Sequence, residues 1–95
     1  MKLYLDDERP APDGWVLIKT AEMAIRYLKK GIVSEISLDH DLGRKKTGYD
    51  VILWMEQEVV RTGYVPPSIR IHTANPVGRG KMEAGIEAMR KRLEN

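Results

Sequence analysis

The chain has no cysteine among its 95 residues, which excludes disulfides and thiolate metal sites and fits a reducing, cytoplasmic setting. Nor does it have an apolar run near the eighteen or so residues of a membrane span, so no membrane role is expected. In place of a signal peptide, Met1-Lys2 leads straight into a short strand-like stretch. Strong charge of one sign is missing as well. Sixteen Lys and Arg against 14 Asp and Glu leave a formal +2, too little to argue for nucleic acid as a partner. Arg44-Lys45-Lys46 and Arg90-Lys91-Arg92 are local basic clusters, read as solvated surface. Repeats, low-complexity segments and interdomain linkers are also lacking. With 42% hydrophobic and 32% charged residues the balance is that of a globular protein, and the length suits one modest domain over residues 1–95.

What the chain does have is two acidic runs, Leu5-Asp6-Asp7-Glu8 and Leu38-Asp39-His40-Asp41, each closing an apolar, strand-like stretch. In an open parallel sheet such strands end on one edge, where ligands bind at the switch in strand order. The two runs then bring up to four carboxylates, Asp6, Asp7, Asp39 and Asp41, into one crevice. Clustered like charges are unfavourable without a cation among them, so a divalent metal with oxygen ligands is expected.

Strands are expected at Lys2 to Leu5, Trp15 to Lys19, Ser34 to Asp39 and Ser68 to Thr73. The turn-rich loop from Glu8 to Gly14 excludes a regular helix between the first two. Thr20 reads as the N-cap of a helix whose Ala21, Ala24, Ile25 and Leu28 share one face. That helix closes at Lys29-Lys30-Gly31. A second helix is expected from Tyr49 to Arg61, ending near Gly63. A third runs from Arg79 to Leu93, with Met82, Ile86, Met89 and Leu93 as its stripe, after a loop at Asn75-Pro76-Val77-Gly78. Strands alternating with helices predict an α/β domain with a mainly parallel sheet and helices on its faces. About nine residues are few for a parallel crossover, so either an extended loop joins the first two strands, the reading adopted, or the second strand pairs differently. Trp15, Trp54 and the helix methionines are assigned to the core.

His40 and His72 are the only histidines, and a pair across a cleft can supply general base and general acid. Thr73, Asn75 and Gly78 lead into the last helix, where a hydroxyl, an amide and free N–H groups suit a phosphate. Arg79 and Lys81, placed in or just before that helix's first turn, oppose its dipole and so suit an anionic ligand. Arg9 and Glu8, in the loop after the first strand, can reach into the same crevice, unless Arg9 pairs with Asp13 instead.

The layout resembles the receiver domain of bacterial two-component response regulators, through Asp6-Asp7, Asp39, Thr73, the Thr20 to Leu28 helix and Gly48-Tyr49-Asp50-Val51. It departs in lacking that family's first helix, its fifth strand and the lysine at that strand's end, for which Lys81 or Arg79 could substitute only in charge. The chain is more closely similar to the shortened group called the cyclic-phosphate-processing receiver domain. The carriers are Leu-Asp-Asp-Glu-Arg-Pro at Leu5 to Pro10, Ser-Leu-Asp-His-Asp-Leu-Gly at Ser37 to Gly43, and the stretch from His72 to Arg79. The resemblance spans nearly the whole chain. It implies a truncated receiver-like (flavodoxin-like) α/β fold with strand order 2-1-3-4 and about three helices.

The expected function is a metal-dependent phosphoesterase, a hydrolase opening a cyclic phosphate, with a cyclic nucleotide as one candidate ligand. Mg²⁺ or Mn²⁺ would sit on Asp6, Asp7 and Asp39, with Asp41 as direct or indirect support, and His72 or His40 would protonate the leaving oxygen. Arg9, Thr73, Asn75 and Arg79 would bind the phosphate. The alternatives are a signalling receiver phosphorylated on Asp39, and a non-catalytic module that binds a phosphorylated ligand or a partner protein.

Overall fold

A computed structural model describes residues 1–94. Its elements are β1 (Lys2–Leu5), β2 (Val16–Ile18), α1 (Ala21–Lys29), β3 (Glu35–Leu38), α2 (Gly48–Thr62), β4 (Ser68–Ile71) and α3 (Pro76–Glu94). The four strands form one sheet in the order β2-β1-β3-β4, and every pair is parallel. The β1–β2 link is a loop without a helix, as its Pro and Gly content predicts. It is pinned by bonds from Trp15 N to Pro12 O (3.1 Å) and from Asp6 N to Ile18 O (3.0 Å).

Alternation along the strands decides what the sheet packs against. Leu3, Leu5, Ile18, Ile36 and Leu38 share one face and are at most 5% exposed. They form the core with Ala21, Ala24 and Leu28 of α1, with Val51, Ile52, Met55 and Val59 of α2, and with Met82 and Met89 of α3. All three helices therefore cover this one face, where the sequence suggested helices on both. Parallel sheets are usually covered on both sides.

The other face carries Lys2, Tyr4, Glu35, Ser37 and Arg70. Trp15, assigned to the core from sequence, instead lies over this open face. It meets Tyr4 edge-on at 6.3 Å, with Lys2 Nζ 5.5 Å and the Arg70 guanidinium 5.9 Å from its ring. The same two cations reach Glu35, at 3.9 and 3.7 Å. An aromatic and charged layer takes the place of a helix. Trp54 does pack against the core, edge-on to Tyr64 at 5.4 Å, whereas Met23 faces solvent at 37% exposure.

Helix ends follow local chemistry. Thr20 Oγ1 accepts from Met23 N (3.2 Å) at the start of α1. Thr47 and Asp50 form a reciprocal capping box at the start of α2, and Gly63 ends that helix with a left-handed φ of 73°. The expected start of α3 is corrected: the helix begins at Pro76, three residues before Arg79. Asn75 caps it, its Oδ1 accepting from Gly78 N at 3.0 Å, and Pro76 takes the first helical position, where its missing N–H has no consequence.

Candidate functional site

Both acidic runs begin where their strands stop. Asp6 follows Leu5 and Asp39 follows Leu38, and Leu5 and Leu38 are register partners in adjacent parallel strands. The Asp39 N–H donates to Leu5 O at 3.0 Å, locking the two strand ends together. A crevice of about 330 Å³ opens beyond this edge, lined by Asp6, Asp7, Glu8, Arg9, Asp39, Asp41, Gly43, Thr73 and Ala74. Five carboxylates thus face one guanidinium. A slightly larger recess of about 390 Å³ lies elsewhere, between Pro66, Pro67, the start of β4 and the end of α3, away from these groups.

Asp6 is 1% exposed and fully engaged. Its Oδ1 accepts from Glu8 N and Arg9 N, both at 2.8 Å, which folds the loop into a turn over the carboxylate. Its Oδ2 is 3.1 Å from His72 Nε2. Burial alone would raise the pKa of Asp6. The two backbone donors and His72 outweigh it and hold the carboxyl below its usual range.

His72 lies just past β4 on the open face of the sheet. Its ring stacks on Tyr4 with centroids 4.1 Å apart and planes 6° from parallel, while Nδ1 is 2.7 Å from Ser37 Oγ. Burial depresses its pKa more than Asp6 and Asp39 raise it. The neutral ring therefore donates from Nε2 to Asp6 and accepts at Nδ1 from the Ser37 hydroxyl. Ser37 is 5% exposed, so this Ser-His-Asp chain offers no accessible nucleophile.

The loop after β3 shapes the other wall. Asp39 Oδ1 accepts from His40 N at 2.8 Å, and Gly48 N donates to His40 O at 3.1 Å. A Cβ at Gly48 would collide with the Asp39 carbonyl, so only glycine lets α2 start this close. Gly43, at φ 63°, passes beside Asp7, whose Oδ2 would be 2.9 Å from a Cβ there. The His40 ring lies against Gly78 of α3, with Nδ1 2.9 Å from Asp41 Oδ1. The His40 bond is the main cause that holds the exposed Asp41 carboxyl below its usual value; desolvation works against it, and the Asn75 bond lowers it further.

Asp6, Asp7, Asp39, Asp41, Arg9 and Thr73 all line the crevice, whereas His40, His72, Asn75 and Arg79 are not among its lining residues. Arg9 does not pair with Asp13: its Nη1 donates to His72 O at 3.0 Å. Asn75 Nδ2 holds both Asp41 oxygens at 3.3 Å, and Arg79 Nη2 donates to Ile71 O (3.3 Å) and Thr73 O (3.2 Å). Arg79 completes the first turn of α3, while Lys81 lies beyond it with Nζ 4.9 Å over the Tyr49 ring.

Ligand atoms of Asp6, Asp39 and His72 all lie within 4.8 Å of one another, close enough for one metal ion. The surplus of carboxylates fits a divalent cation on electrostatic grounds. Sequence reasoning missed Ser37 and Tyr4, which orient His72, whereas Glu8, expected with Arg9 to be able to reach the crevice, lines it. The only signal for the first two was their alternation onto the face of the sheet opposite Leu5 and Leu38.

Comparison with known proteins adds one match: a family model described as the cyclic-phosphate processing receiver domain covers residues 1–88. No curated protein and no solved structure matches the chain significantly. Among the described residues, no helix is long and apolar enough to cross a membrane.

Proposed function

The chain belongs to the cyclic-phosphate processing receiver domain family, and we propose that it opens a cyclic phosphate by metal-dependent hydrolysis at the crevice beyond β1 and β3. The observation that carries this reading is that Asp6, Asp7, Glu8, Asp39 and Asp41 line one crevice in which Arg9 is the cation among the lining residues. Such a surface repels an anionic substrate until a divalent ion is bound. Asp6 and Asp39 would hold Mg²⁺ or Mn²⁺, with Asp7 and Asp41 at the rim. When bound, that ion neutralises phosphoryl charge and lowers the pKa of a water.

The chain's own residues divide the remaining work. Arg9 is tethered by one nitrogen to His72 O and leaves its other donors for a phosphoryl oxygen. Thr73 lines the crevice, and its Oγ1, which accepts from Asn75 N at 3.2 Å, keeps a hydroxyl proton to donate to a phosphoryl oxygen. Proton delivery to the leaving oxygen falls to the His40–Asp41 pair, because Asp41 lines the crevice and His40 shares its hydrogen bond. His72 is held too firmly by Asp6, Ser37 and Tyr4 for that role.

The test is incubation with a panel of 2′,3′- and 3′,5′-cyclic nucleotides and Mg²⁺ or Mn²⁺, followed by phosphorus NMR. A phosphomonoester product that disappears in Asp39→Asn supports the proposal. Bound metal with no turnover of any member refutes it.

A further inference from the structure

We infer that His72 is itself a ligand of the cation, making the site a mixed nitrogen and oxygen set that takes a first-row transition metal in preference to Mg²⁺. This rests on the proposed metal-dependent reading of the crevice and specifies which ion and which atoms are involved.

The imidazole is aimed from behind. Tyr4 stacks against its face and fixes the ring plane, and Ser37 Oγ, 2.7 Å from Nδ1, fixes the rotation within that plane. Both residues lie on β-strands, Tyr4 on β1 and Ser37 on β3, so the support is rigid. A metal-ligating histidine characteristically has its second ring nitrogen bonded to an oxygen that sets the tautomer, and Ser37 occupies that position. The nitrogen left over, Nε2, points at the carboxylates: it is 3.1 Å from Asp6 Oδ2, and one Asp39 oxygen completes a group within 4.8 Å.

Two ligands on one ion at ~2.1 Å stand between ~3 and ~4.2 Å apart; the His72–Asp6 pair at 3.1 Å already has that spacing, and the Asp39 oxygen closes on it from within 4.8 Å. Without metal, the Nε2 proton bridges to Asp6 and stands in for the cation. With metal, that proton leaves Nε2 and one is held at Nδ1 for donation to Ser37 Oγ, which then accepts where it had donated. The ring stays neutral throughout, and a hydroxyl is the one side-chain group that serves both tautomers without moving.

Imidazole suits Fe²⁺, Ni²⁺ and Zn²⁺ best; Mn²⁺ leans toward oxygen but opens the same first-row affinity series, whereas Mg²⁺ takes oxygen and keeps its waters. Asp6 and Asp39 with His72 therefore discriminate by donor chemistry, beyond the charge that any divalent ion satisfies. Asp7 and Asp41 remain outside this set, at the rim.

The deciding experiment is titration of the full chain with Mn²⁺ and with Mg²⁺ by calorimetry, joined to electron spin-echo measurement on the Mn²⁺ complex. The expected result is at least tenfold tighter Mn²⁺ binding and echo modulation from a directly bound imidazole nitrogen. That modulation should persist in His40→Gln and vanish in His72→Gln, with the Mn²⁺ preference collapsing toward unity. Ser37→Ala, which leaves the ligands in place, should weaken Mn²⁺ about tenfold or more and leave Mg²⁺ nearly unchanged; it also serves if His72→Gln does not fold. Mn²⁺ bound without nitrogen modulation overturns this inference and leaves a carboxylate metal site standing. Failure of both ions to bind at millimolar concentration overturns this inference and the metal-dependent function together.

Discussion

His72 Nε2 and Asp6 Oδ2 meet at 3.1 Å across 66 residues of sequence, so the ends of β1 and β4 are coupled although β3 separates them in the sheet. Asp6 is buried with both oxygens occupied, and removing one partner strands the other. His72→Ala should lower metal-free stability by about 1–3 kcal/mol, the cost of leaving a buried acceptor unpaired. Urea denaturation gives the value, and a change below a few tenths would mean the contact is of no energetic consequence.

Acid should weaken the fold in two stages. The folded pKa of His72 lies below its ordinary 6.5 and that of Asp6 below its ordinary 3.8. In both cases the unfolded chain binds the proton first as pH falls. The His72 contribution is complete above about pH 6.5 and is lost as pH falls through its folded value. The Asp6 contribution follows the same course below about pH 3.8. Melting temperature against pH should show both declines in the metal-free chain, and His72→Gln should remove the upper one only.

Part of this arrangement could be read in the sequence, for identifiable reasons. Leu3 to Leu5 and Ile36 to Leu38 are apolar and end in aspartates, so both strands and their shared edge followed from pattern. The short Pro-rich link between β1 and β2 left no room for a helix, which favoured parallel pairing through a loop over a different pairing of the second strand. Which face of the sheet the helices cover did not follow, because period-two alternation marks two faces without saying which is packed. Trp15 was misplaced for that reason, and Tyr4 and Ser37 went unnoticed as supports for His72. The start of α3 was missed because Asn75-Pro76 reads equally as a turn or as a cap with proline at the first helical position. The roles of Asn75 and Arg79 depend on carbonyls and carboxylates brought near only by folding.

Thr47→Ala should remove the hydroxyl half of the α2 capping box and cost about 1 kcal/mol. The midpoint of urea unfolding should fall while its slope stays constant. A changed slope would point to an altered unfolded state and not to a lost cap.

Gly48→Ala should be more damaging than an ordinary helix substitution, since the added methyl meets the Asp39 carbonyl. Overpacking of this kind costs about 1–3 kcal/mol. The displacement falls on the backbone of Asp39, so Mn²⁺ affinity should drop along with stability. Calorimetry on the folded variant separates the two, and unchanged affinity would show that Asp39 does not bind the ion.

Arg9→Met should weaken binding of a cyclic phosphate by tenfold or more, from the loss of a charge-assisted bond worth about 1.5–3 kcal/mol. Mn²⁺ affinity should hold or rise, because the crevice loses its one cation. Equal phosphate binding in the variant and the parent would remove Arg9 from the site.

The layer of Tyr4, Trp15, Lys2, Glu35 and Arg70 opposite the helices has an evolutionary consequence. Folding free energy is concentrated on one side of the sheet, while the supports that aim His72 stand on the other. Mutations that retune the imidazole can therefore accumulate without eroding the apolar interior. A domain this small thereby gains freedom to drift in ion choice or ligand while its framework stays put.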